Sequence, residues 1–216
     1  MENDRKEYSM GRQLAFVDVD TQFDFMDPQG KLYVPGAEKL IPNLQRLTEW
    51  ACRRSVPIVA SADCHPADDP EFGQFPPHCV AGTPGQKKIP ETLGRRVLMV
   101  ENRPLEPWPP MRLNASILPY DQILLLKQCF SLFGNANADT LFRKLSARRY
   151  VVYGVATDYC VKAAVLGLRS RGCRVEVVED AIAPVDPKTG DLALAEMRAA
   201  GAELTDTETV LSGALA

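Results

Sequence analysis

The chain has 216 residues, enough for one domain with a sizeable core, and its 45% apolar and 25% charged residues exclude a disordered or fibrous protein. A formal charge of −3, from 25 Lys and Arg against 28 Asp and Glu, with the basic residues scattered, leaves no electrostatic footprint for nucleic acid. Residues 1–13 are too polar for a signal peptide and no apolar run is long enough to span a bilayer, so a cytoplasmic protein without a membrane partner is expected, with a polar extension over 1–13 and one domain over 14–216.

Short apolar runs alternate with amphipathic stretches along the chain. Leu14–Asp20 reads as a first strand. Ala37–Arg54 has helical spacing at Leu40, Ile41, Leu44, Leu47 and Ala51, with a start or a kink at Pro42. Strands follow at Val56–Ala62, Val97–Val100 and Gln122–Leu126, then a helix at Ala138–Arg149. Val151–Val155 is a strand, Tyr159–Arg171 a helix, Val175–Val178 a strand, and Leu192–Ala200 a helix stopped by Gly201. This alternation predicts an α/β fold, a parallel β-sheet flanked by helices on both faces, with ligands at the carboxyl ends of the strands. Two proline-rich stretches break the rhythm. Asp63–Glu91 is taken as site-forming, and Glu101–Pro119 as a lid, a subunit contact or an inert insertion.

Four groups of residues carry chemistry. In Gly154–Cys160 a buried strand ends at Val155 and a helix is expected to start near Thr157 as N-cap. Cys160 then falls in the first turn, where unpaired N–H groups and the helix dipole favour a thiolate. The alternative is a small buried filler. At the end of the first strand, Asp20 can take a proton from a thiol or a water. Alternation puts Asp18 on the same side, and pattern alone does not choose between the two. Lys127 ends the run Ile-Leu-Leu-Leu and either snorkels to solvent or meets Cys160 and Asp20. Both histidines of the chain, His65 and His78, lie in one proline-stiffened loop. With Asp63 they form an O/N set suited to zinc, iron or manganese. A structural zinc site of Cys64, His65, His78 and Cys79 is the weaker reading, because neighbours in extended chain point apart. None of the six cysteines forms a C-x-x-C pair, and they read as reduced thiols.

Taken in order, the motifs Asp20-Thr-Gln-Phe-Asp-Phe25, Asp63-Cys-His65, Phe75-Pro-Pro-His78-Cys79-Val-Ala-Gly-Thr-Pro-Gly85, Lys127 and Gly154-Val-Ala-Thr-Asp-Tyr-Cys160 resemble the nicotinamidase branch of the isochorismatase-like cysteine hydrolases, over Leu14 to about Ala202. The resemblance implies a three-layer fold and hydrolysis of nicotinamide to nicotinic acid and ammonia through a Cys160 thioester. It assigns Cys160 as nucleophile, Asp20 as acid/base and Lys127 as the third member, with a cis peptide between Val155 and Ala156 beside an oxyanion hole formed by the N–H groups of Ala156 and Cys160. It also implies one divalent metal on Asp63, His65 and His78, zinc first, with iron or manganese as alternatives. Phe25 and Phe75 would flank a pyridine ring whose nitrogen faces the ion, and Tyr159 would line the same pocket.

The partner implied is a small aromatic carboxamide, within pyridine-nucleotide salvage, and a homo-oligomer is the family expectation. Glu71 stands where many members have a further metal-side histidine, and as a hard oxygen donor it joins the expected ligand set. Tyr159 replaces a common histidine, Asp18 occupies a strand position that is usually apolar, and Glu101–Pro119 is longer than expected. Rival readings are a metal-free isochorismatase-like hydrolase of another amide or a vinyl ether, and a binding module without turnover.

Overall fold

The computed structural model describes residues 14–117 and 119–212; the expected extension 1–13 lies outside them. Seven strands, β1 (Leu14–Val19), β2 (Ile58–Asp63), β3 (Val97–Val100), β4 (Gln122–Lys127), β5 (Arg149–Val155), β6 (Arg174–Ala183) and β7 (Glu203–Thr205), form one parallel sheet in the order β3-β4-β2-β1-β5-β6-β7. Helices α1 (Ile41–Arg53), α2 (Pro110–Ile117), α3 (Ala138–Leu145), α4 (Lys162–Ser170), α5 (Pro187–Ala199) and α6 (Thr207–Leu211) connect and cover it. The result is the expected three-layer α/β architecture. From β1 the chain grows first towards β3 and then, from β5 onward, towards β7. The switch point between β1 and β5, where open sheets bind ligands, is therefore central.

The two sheet faces are written into β1. Leu14 and Phe16 pack towards α1, whose Leu44, Leu47, Trp50 and Ala51 are buried, while Ala15, Val17 and Val19 face the core shared with α3, α4 and α5. Each large apolar side chain buried this way contributes ~1.5–3 kcal/mol. The same alternation carries Ser61 and Asp63 of β2 and Lys127 of β4 to the α3–α4 face, in step with Val59, Ile123 and Leu125. Cys160 belongs to that core as well.

Several boundaries differ from expectation, each for a local reason. Pro42 takes the second position of α1, where no N–H partner is lost, so it starts the helix without kinking it. A left-handed Ser146 (φ 47°) ends α3 early, which frees Arg149 to open β5. Asp186 caps α5 through the N–H groups of Lys188 and Thr189, so that helix starts at Pro187, before Leu192. Pro110 opens α2 inside the stretch read as loop, and the short β7 and α6 carried no periodicity to find. The expected cap at Thr157 is not formed. The chain makes one π-turn over Thr157–Val161 before α4, led by Ala156 without a side-chain cap, and Thr157 Oγ1 is buried without a partner.

Gly154 sits at φ +116°, and a Cβ there would clash with Val19 O on the neighbouring strand. Gly154→Ala is expected to cost about 3 kcal/mol, from an unfavourable backbone conformation plus overpacking. A lowered urea midpoint at unchanged slope would show it. Equal midpoints would mean that β1 and β5 can part without cost.

Candidate active site

Three loops and two strand ends meet at the switch point. Lys127 Nζ lies 2.8 Å from Asp20 Oδ2, 2.5 Å from Asp63 Oδ1 and 3.7 Å from Cys160 Sγ. Asp20 and Lys127 have no exposed surface, and Cys160 is buried. The three residues expected to act together are therefore in one pocket, and Lys127 does not snorkel to solvent. Asp63, expected only as a metal ligand, is also the second partner of Lys127.

Asp20 reaches this group because the strand alternation fails at it. Continued alternation would aim it with Asp18 towards α1. Instead Asp20 follows the last strand residue in the left-handed region (φ 49°) and turns back across the sheet edge, where Ser61 Oγ donates to its Oδ1 at 2.7 Å. Lys127 Nζ is the neighbour of Oδ2, and that carboxylate oxygen keeps a lone pair for another proton. Asp18, expected beside Asp20, lies elsewhere: Lys88 Nζ and Thr21 Oγ1 bond it at 2.9 Å each, a buried pair that ties the loop after Gly85 to β1.

Burial raises the Asp20 carboxyl, Lys127 opposes it, and the net direction is upward. Burial also raises Asp63, yet Lys127 and His65 outweigh it and hold it below the ordinary range. For Lys127 burial works against the charge, but two carboxylates dominate and keep the ammonium charged. Burial pushes the Cys160 thiol well up; Lys127 lowers it, and Asp20 and Asp63 raise it again. The thiolate that a helix start would favour is thus opposed here: burial and two nearby carboxylates outweigh one ammonium in raising the Cys160 thiol, and the leading turn is a π-turn rather than the first turn of an α-helix.

Beside this group, donor atoms of Asp63, His65 and His78 all lie within 4.8 Å of one another. Lys127 takes Asp63 Oδ1, while Oδ2 faces His65 Nε2 at 3.9 Å. His65 Nδ1 bonds Asp69 Oδ2, and His78 Nδ1 bonds Pro76 O, both at 2.9 Å. Both rings therefore present Nε2 inward, and that of His65 is buried without a partner. Glu71 Oε1 stands 3.9 Å from His78 Nε2. An orphaned buried imidazole nitrogen among oxygen and nitrogen donors is the chemistry of a cation site, and these residues fit a divalent ion. Cys64 and Cys79 join no metal-competent cluster among the described residues, which removes the four-residue zinc reading; all six cysteines are free.

The pocket in front of Cys160 opens to solvent and is walled mainly by apolar and aromatic side chains with a few polar groups, the make-up of a site for one small molecule. Phe25, Phe75, Tyr159, Glu71, Val155 and Ala156 line it as expected, and the Val155–Ala156 peptide is cis. Leu32, Val34, Phe130 and Val185 line it too and were not expected. Phe130, three residues past Lys127, packs edge-on to Tyr159 (5.3 Å) and Phe75 (6.2 Å); its place just beyond a strand end was the available signal. Gln22, inside the first motif, was also passed over. Its amide donates to Asp63 O and Gln86 O and accepts from Asp63 N, clamping β2's end to the metal-side loop. Among the described residues, none of 101–119 lines the pocket.

Residues 14–108 and 104–209 match the family described as the isochorismatase domain. The nicotinamidase of Escherichia coli (strain K12) is 32% identical over 201 residues, covering 88% of this chain and 93% of that protein. The pyrazinamidase of Pyrococcus horikoshii, solved in complex with zinc, superposes with a TM-score of 0.73 at 27% identity, covering 90% of this chain and 99% of that one. The N-carbamoylsarcosine amidase from Thermoplasma acidophilum gives a TM-score of 0.69 at 27% identity, over 91% of this chain and 97% of that one.

Proposed function

The chain belongs to the isochorismatase family, and from that premise we propose that it is a metal-assisted cysteine amidase that hydrolyses nicotinamide to nicotinic acid and ammonia. The observation that carries the reading is the buried meeting of Asp20, Lys127 and Cys160 at the floor of an aromatic-walled pocket. A flat, uncharged ring suits walls built from Phe25, Phe75, Phe130 and Tyr159.

Asp20 takes the Cys160 proton as the sulfur attacks the carboxamide carbon, and Lys127 balances the charge that this proton transfer leaves on sulfur. The N–H groups of Ala156 and Cys160 receive the oxyanion, and such a donor typically supplies ~2.7–4 kcal/mol of transition-state stabilisation. The C–N bond then breaks, and Asp20 gives its proton to the departing amine, releasing ammonia. Asp20 next deprotonates a water that attacks the Cys160 thioester. Collapse of that adduct frees the carboxylic acid and returns the proton to sulfur. Asp63, His65, His78 and Glu71 would hold the divalent ion, zinc first and iron or manganese as alternatives, which supplies a Lewis-acid anchor for a ring nitrogen.

An ammonia-release assay on nicotinamide, with and without prior chelation, tests the reading. Turnover that collapses after metal stripping and returns on adding zinc or manganese is expected, and no release with any metal would overturn it. His78→Ala is expected to bind far less metal and to raise KM more than it lowers kcat, since it removes an anchor and leaves the reacting groups. Full metal occupancy in that variant would take His78 out of the ligand set. Glu71 and Tyr159 in the pocket wall favour a second reading, a pyridine-type amide other than nicotinamide. Relative kcat/KM across a panel of aromatic carboxamides decides between the two.

A further inference from the structure

The ring of His65 is also held from outside the inner cluster. Its Nδ1 meets Asp69 Oδ2 at 2.9 Å, and its Nε2, facing Asp63, is fully buried and unpartnered. The other oxygen of the same carboxylate, Asp69 Oδ1, accepts the N–H of Glu71 at 2.9 Å. That bond caps the short 3₁₀ turn Pro70–Gly73, the turn that carries Glu71 towards His78. One side chain therefore fixes an imidazole on one side and the backbone of a second donor residue on the other. Its own side chain is 9% exposed, so water competes little for either bond.

From these contacts we infer that Asp69 is a positioning residue for the divalent cation. It holds His65 in the Nδ1–H tautomer with Nε2 free to bind, and it sets where Glu71 stands. The inference rests on the metal-assisted reading above. The physical reason is the acceptor character of a carboxylate: it can only receive, so it keeps the proton on Nδ1, and when the ring gives up its second proton to bind an ion the lone pair appears on Nε2. An asparagine here can keep the cap through its oxygen while placing an NH₂ against Nδ1. That reverses the ring's preferred tautomer and puts a proton where the ion must sit. His78 provides an internal control, because its Nδ1 is held by a backbone carbonyl, Pro76 O, that no substitution at Asp69 touches.

The test uses the full chain, metal-stripped, with zinc, ferrous iron and manganese titrated against a chromophoric chelator. Asp69→Asn is expected to weaken metal binding by about 10- to 100-fold, with kcat at saturating metal close to wild type. The urea midpoint of the metal-free protein should fall by much less than the metal affinity, because asparagine keeps the cap bond to Glu71 N–H and loses only the contact with His65. Because the chain has only two histidines, ¹⁵N-histidine labelling reads both rings directly. In the loaded wild type His65 should show a protonated Nδ1, and in Asp69→Asn its signals should move while those of His78 stay. The wild-type spectrum needs no variant to fold, and a loaded His65 without a proton on Nδ1 would overturn the assignment by itself. Equal metal affinity in Asp69→Asn would sink the positioning role and leave the metal reading standing. A wild type that binds none of zinc, ferrous iron and manganese would remove both.

Discussion

Cys160→Ala is expected to fold, to bind nicotinate, and to release ammonia from nicotinamide at least ~10⁴-fold more slowly than wild type, the scale of losing a covalent nucleophile. Removing one buried sulfur opens a void of about one atom beside Val161 and Ala164, and the fold should lose on the order of 1 kcal/mol. Cys160→Ser should not rescue turnover. Burial and two carboxylates already oppose ionisation of the thiol, and a hydroxyl, a far weaker acid in the same buried pocket, gives Asp20 still less to work with. Single-turnover ammonia release, with nicotinate affinity measured alongside, separates loss of chemistry from loss of binding. Near-normal turnover by the alanine variant would mean that the nucleophile is another group.

Lys127→Met is expected to damage both stability and activity. Its ammonium stands between the carboxylates of Asp20 and Asp63, at 2.8 and 2.5 Å, with no exposed surface on the lysine. Methionine fills much of the volume but leaves two buried negative groups facing each other, and breaking a buried pair from one side typically costs ~3–5 kcal/mol. Turnover should fall by at least ~10²-fold, because charge building on the Cys160 sulfur then has no compensating cation. Arginine should not restore it, since a planar guanidinium is too large to sit 3.7 Å from Sγ between two carboxylates packed for an ammonium. Urea unfolding and ammonia release give the two readouts. A variant as stable as wild type would show that the two carboxylates are already compensated without Lys127.

Pattern and spacing were sufficient for the α/β alternation and for the strand ends carrying Asp63 and Lys127, while the expectation that Asp20, Cys160, His65 and His78 share one site came from the resemblance of the ordered motifs to a known family. Local rules suffice there, because a buried parallel strand must be apolar along its length and polar residues at its carboxyl end have few other uses. The partner of Asp18, the double role of Asp63, the burial of Cys160 beside two carboxylates, and the walls supplied by Phe130, Leu32 and Val185 depended on segments far apart in sequence. The choice between Asp18 and Asp20 shows why: a single left-handed residue past the end of β1 redirects a side chain to the opposite face of the sheet, and no periodicity within the strand records it. Which carboxylate meets the lysine, and what charge each group then carries, is decided by how β1, β2, β4 and β5 exclude water together. That exclusion exists only once the whole sheet has formed.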